Sequence, residues 1–174
     1  WPGLVGSEMC IRDRINDVDY KESTYNVYMA RLKILTFPDP KLRKIAAHVD
    51  KFDKSLNKIV SDMLETMYEA KGIGLAATQV DIHKRIVVMD LSEKKNEPRI
   101  FINPEFMILD DKSLFSCEEG CLSIPGITEE ITRPDQIKAK WQDIEGNYFE
   151  DEPTGLLAVC LSLIHISEPT RPGH

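Results

Sequence analysis

Apolar residues recur with helical spacing through residues 53–70. Leu56, Ile59, Val60, Met63, Leu64, Met67 and Tyr68 fall at i, i+3, i+4 and i+7 and make one stripe. Asp53 stands where an N-cap is wanted and Gly72 where such a helix stops, so a helix is predicted over 53–70. A shorter helix, opened by Pro40, is predicted over 40–48. The period then changes. Residues 85–91 are a β-branched run, and 99–102 form another that Asn103-Pro104 should end. In 136–142, Ile137, Ala139 and Trp141 alternate with Lys138, Lys140 and Gln142, the pattern of a half-buried strand. Residues 143–146 turn it back into 147–150, and Pro153-Thr154-Gly155 opens a last helix with Thr154 as its cap. One long helix, antiparallel strands and a terminal helix predict an α+β domain.

Composition narrows the function classes. The chain has 174 residues, enough for one full core, with 42% hydrophobic and 29% charged positions, ordinary for a soluble globular protein. A net charge of −7 argues against DNA or RNA as a partner, because phosphate binding needs a basic face. No apolar run approaches the roughly 20 residues of a membrane span. The four cysteines, Cys10, Cys117, Cys121 and Cys160, are too few for a disulfide framework, and a cytoplasmic setting with reduced thiols is expected.

Two short stretches carry the chemistry. In Gly72-Ile73-Gly74-Leu75-Ala76-Ala77-Thr78-Gln79, the glycines allow close backbone approach to a ligand and Gln79 offers an uncharged amide donor. Taken alone, it is more readily a glycine-rich turn with a structural glutamine. In Glu119-Gly120-Cys121-Leu122-Ser123, a lone cysteine is ordinarily a small buried hydrophobe. In this order and spacing, the two stretches together resemble the first two signature motifs of the peptide deformylases. The segment 31–40 resembles the amino terminus of that family.

The resemblance implies a fold of antiparallel strands packed around a central helix. It implies hydrolysis of the N-formyl group from methionine at the start of newly made proteins. A divalent metal, iron in the family with zinc or nickel as substitutes, would supply the attacking hydroxide. Cys121 would be a metal ligand, and the Gln79 amide and the Leu122 N–H would bind the formyl oxygen, so Gln79 and Cys121 should face one cleft. Ile73, Gly74 and Gly120 would lie along the peptide, with Ile73, Leu156, Val159 and Cys160 around the methionine side chain. Glu119 and Arg133 would pair and brace the loop. Nascent N-formyl-methionyl peptides, and the ribosome that presents them, are the implied partners.

The family's third motif, H-E-x-x-H on a helix, supplies two further ligands and the catalytic base. Its register places them at 163, 164 and 167, where this chain has Leu163, Ile164 and Ser167. His165 is out of register, and Pro169 should end any helix there. His48, His83 and His174 read as isolated surface histidines. Residues 1–28 and 161–174 read as non-native, adaptor-like extensions, leaving one deformylase-like domain over 29–160 whose metal-binding helix is truncated or replaced. Two functions fit: a deformylase by descent, inactive as written and a poor metal binder, or a non-catalytic peptide-binding relative. A thiol enzyme using Cys117 or Cys121 ranks last, for want of a placed histidine.

Overall fold

The structure is a computed structural model that describes residues 31–167, and within them every side chain except those of residues 110, 111, 113, 117, 119, 129, 131, 135 and 162–167. The expected extension 1–28 and the end of the tail, 168–174, lie outside the described residues.

The stripe of the first helix is realised as α1, Lys54–Glu69. Asp53 caps it by accepting from the backbone N–H groups of Ser55 and Leu56, which have no partner inside the helix. These hydrogen bonds hold the Asp53 carboxyl below its usual range, with the Ser55 hydroxyl as the largest cause and the Leu56 N–H next. The helix ends differently from the sequence reading. Lys71, not Gly72, takes the left-handed conformation, at φ 54°. Gly72 N–H then donates to Met67 O at 2.9 Å and Lys71 N–H to Tyr68 O at 3.0 Å, the paired bonds of a Schellman ending.

Five strands form one antiparallel sheet in chain order: β1 Gly74–Ala76, β2 Ile86–Met89, β3 Arg99–Cys121, β4 Ile124–Gln142 and β5 Tyr148–Asp151. The last helix, α2, runs from Gly155 to Ser167 and passes Cys160 without a break. The two helices cover opposite faces of the sheet. Ile86 and Val88 of β2, with Ile100 and Ile102 of β3, pack with Leu56, Val60, Met63 and Met67 of α1. Val87, Met89 and Phe101 turn the other way, onto Ile137, Ala139, Trp141 and the α2 residues Leu157, Ala158 and Leu161. This explains why β2 is an unbroken apolar run: both of its faces are buried.

Three sequence expectations change. The predicted helix over 40–48 shrinks to a single 3₁₀ turn, Pro40–Arg43. Lys44 is already extended, and Ala47 is drawn into pairing with His83 and Arg85. The strand expected to end at Asn103-Pro104 runs on instead. Asn103 adopts φ 51°, and the register with β4 shifts between Ile102 and Glu105, so Pro104 sits in a bulge that asks for no ladder bond. The Asn103 side chain secures the bulge: it accepts from Val49 N–H at 2.8 Å and donates to Val49 O at 3.0 Å and Gln142 Oε1 at 2.8 Å. Thr154, the expected cap of α2, forms a bridge to Gln136 instead. The α+β class stands. Among the described residues, no helix is long and apolar enough to cross a membrane.

Candidate active site

The first motif folds as the short edge strand β1 followed by a 3₁₀ turn, Ala77–Val80. Gln79 belongs to that turn and closes it: its Oε1 accepts the Ala76 N–H at 2.9 Å, so the side chain satisfies a backbone donor that the turn leaves open. With the carbonyl end engaged, the amide nitrogen faces away, toward the second motif. That motif is the tip of the β3–β4 hairpin, where Cys121 pairs with Ile124. Gln79 Nε2 donates to Ser123 Oγ at 3.2 Å and lies 3.7 Å from Cys121 Sγ. Gln79 and Cys121 therefore share one cleft. The Cys121 thiol is exposed, and Ser123 is buried beneath it.

Two further contacts key the motifs together. Leu122 covers Gly72: a Cβ placed on Gly72 would come within 2.8 Å of Leu122 Cδ1 and 3.4 Å of its Cγ. The absence of a side chain at Gly72 leaves room for Leu122. Gly72→Ala should push the end of the Leu122 side chain aside and cost no more than about 1 kcal/mol of stability, read from a shifted denaturant midpoint at unchanged slope. The second contact comes from the amino-terminal segment, which was legible as similar in sequence but not as structure. Leu32 N–H donates to Thr66 Oγ1 at 3.0 Å on α1. Farther on, Leu35 N–H donates to Gln79 O at 2.7 Å and Phe37 N–H to Ser123 O at 2.8 Å. One strap thus holds α1, the Gln79 turn and the Ser123 turn in fixed relation.

Ile73 and Gly74 lead into the outer edge of the sheet, with Ile73 43% exposed beside the cleft. They are held from behind by Asp90, whose N–H donates to Ile73 O at 2.9 Å. Asp90 is fully buried. Its carboxylate accepts from the Tyr68 hydroxyl at 2.7 Å, the Ser92 hydroxyl at 2.6 Å, and the N–H groups of Ser92 and Glu97 at 2.9 and 3.1 Å. Burial, the largest single influence, pushes its pKa up. The hydroxyls of Ser92 and Tyr68 and the two amides together outweigh it, leaving the carboxyl below its usual range.

The remaining predicted residues are placed as follows. Gly120 is exposed opposite Thr128 on the hairpin. On α2, Val159 is fully buried while Leu156 and Cys160 are half-buried, and Cys160 packs against the cluster that also receives Ala76. Arg133 stands opposite Phe115 and Glu119 opposite Glu129, so the two positions are offset along the hairpin. The Glu119 side chain, like those of Cys117 and His165, lies outside the described side chains. His48 is exposed beside Asp50, as expected of a surface histidine, but His83 is largely covered, with Nε2 at 3.0 Å from Asp81.

The chain's residues 31–163 match the family model described as polypeptide deformylase. The chain belongs to the polypeptide deformylase family. It is 57% identical over 133 residues to the peptide deformylase of Pseudomonas aeruginosa, covering 76% of this chain and 79% of that relative. The crystal structure of the Thermotoga maritima peptide deformylase superposes with a TM-score of 0.71 at 44% identity, covering 76% of this chain and 88% of that one. A Synechococcus elongatus peptide deformylase in complex with actinonin gives 0.71 at 37% identity, covering 78% and 74%.

The deformylase resemblance implies a metal, and the described residues do not fit one. Among them, no group of three or more His, Cys, Asp or Glu side chains could hold an ion. Among the described side chains, the Cys121 thiol meets the Gln79 amide, which also bonds the Ser123 hydroxyl, and not the imidazole pair that iron, zinc or nickel takes with a thiolate. Positions 163, 164 and 167 lie on the helical backbone of α2 but carry Leu, Ile and Ser.

Proposed function

We propose that this chain is a peptide deformylase by descent that keeps the half of the site which recognises a formyl-methionyl peptide and lacks the half which hydrolyses it. The observation that carries the reading is the convergence of the Gln79 amide on Cys121 at 3.7 Å, beside the exposed edge of β1. A peptide laid along Ile73 and Gly74 would gain main-chain hydrogen bonds from an edge strand. Its formyl oxygen would then receive the Gln79 N–H and the Leu122 N–H, uncharged donors held rigid before the ligand arrives. Ile73, Leu156, Val159 and Cys160 supply the apolar surroundings for a methionine side chain. Nothing in this arrangement activates a water: a general base must stand within hydrogen-bond reach of the proton it takes, and position 164 holds Ile164. As written the chain is inactive and binds metal weakly. Its setting is the cytoplasm, and its ligands are nascent formylated peptides at or near the ribosome.

The second reading, a peptide-binding relative that never hydrolyses, is favoured by the same Leu163, Ile164 and Ser167. It differs only in whether that end belongs to the natural gene, which the source nucleotide sequence decides. Both readings predict binding. On titrating the labelled chain with an N-formyl-methionyl tripeptide, the backbone amide signals of Ile73, Gly74 and Leu122 and the side-chain amide of Gln79 should move together. The unformylated peptide should move the Gln79 signal far less. If Gln79 and Leu122 stay still with the formylated peptide, the recognition reading is wrong.

A further inference from the structure

We propose that Ser123 is a positioning residue that sets the direction of the Gln79 amide, a role that rests on reading Gln79 as the donor to the formyl oxygen. A glutamine amide can present either its oxygen or its nitrogen, and its last torsion is soft. Here the choice is made at one end by Ala76, whose backbone N–H can be answered only by Oε1. That contact alone leaves the amide free to swing about it. The swing is stopped at the other end by Ser123, whose Oγ receives Nε2 at 3.2 Å. An amide carries two N–H groups. Ser123 occupies one, and the other is left toward the exposed Cys121 sulfur at 3.7 Å, a weak acceptor that a carbonyl oxygen could readily displace.

Ser123 is itself well anchored. It is buried, its carbonyl receives Phe37 N–H at 2.8 Å, and the same strap gives Leu35 N–H to the Gln79 carbonyl at 2.7 Å. Both partners of the side-chain bond are therefore held by backbone bonds that do not involve the hydroxyl. Removing the hydroxyl should free the amide without moving either turn.

The test is nuclear magnetic resonance on the full chain, with the Gln79 side-chain amide assigned by its loss in Gln79→Glu. In Ser123→Ala, exchange of the Gln79 side-chain amide protons should accelerate about tenfold, the scale set by one net hydrogen bond. Their two shifts should draw together, while the backbone amides of Leu35 and Phe37 keep their positions. Ser123→Thr, which retains the hydroxyl, should restore slow exchange. Should Ser123→Ala fail to fold, Ser123→Cys keeps the volume, offers only a weak acceptor, and is expected to behave in the same way. Unchanged Gln79 exchange in the folded variant overturns the proposal. If the Gln79 amide responds to Ser123 yet ignores the formylated peptide, the positioning role stands and the recognition reading falls.

Discussion

Replacing Leu163→His, Ile164→Glu and Ser167→His, with Pro169→Ala, should give a chain that releases formate from a formyl-methionyl peptide in a metal-dependent way. The unmodified protein should stay at background with ferrous, nickel or zinc ion added. The rebuilt protein should exceed it by at least about a thousandfold, since a placed base alone is worth 10²–10⁴ in rate. The ground is positional. The backbone of α2 is already helical through Ser167, so 163 and 167 stand one turn apart, as two histidines sharing an ion require. The Gln79 amide already meets Cys121 at 3.7 Å, and Ala76 touches the cluster to which α2 contributes. Robust metal-dependent turnover by the unmodified chain would show that another group completes the site. Silence from a folded, metal-loaded rebuilt chain would show that α2 is wrongly placed for the role.

Loss of the Asp90 carboxylate should be the most damaging single change for stability. Asp90→Ala takes the acceptor from two hydroxyls and two backbone N–H groups in part-buried hydrogen bonds, at a cost of about 2–3 kcal/mol. Urea denaturation measures it. The pH dependence carries a distinct signature. Because the folded carboxyl lies below its unfolded value, about 3.9, the contribution is fully present above that pH. It disappears as the pH falls through the folded value. Asp90→Asn keeps the shape and removes the charge, so its stability should change less between pH 5 and pH 2 than that of the parent. Parallel curves for the two proteins would assign the acid sensitivity to other groups.

Much of the architecture could be read from local pattern. The stripe of α1, the cap at Asp53 and the alternation around Trp141 are short-range signals, and they fold where they point. The misses share a cause: each was decided by a partner far away in the chain. Residues 44–48 extend because Ala47 pairs with His83 and Arg85. Asn103-Pro104 does not end its strand because Val49 and Gln142 hold the asparagine in a left-handed bulge. For the site, the two motifs announced Gln79 and Cys121, but not what seats them. Ser123 stood at the end of a quoted pentapeptide with no local sign that its hydroxyl faces Gln79. The small size of Gly72 answers to Leu122 in the other motif.

The burial of β2 on both faces has a consequence for how this molecule comes apart. Ile86 and Val88 are spent on the α1 side, and Val87 and Met89 on the α2 side. The two halves of the interior share this one strand as a wall. A substitution that disturbs the packing of α2 on β2 therefore acts on the strand against which α1 also packs. Denaturant unfolding of this domain is therefore expected as one transition, with probes on the α1 side and the α2 side coinciding.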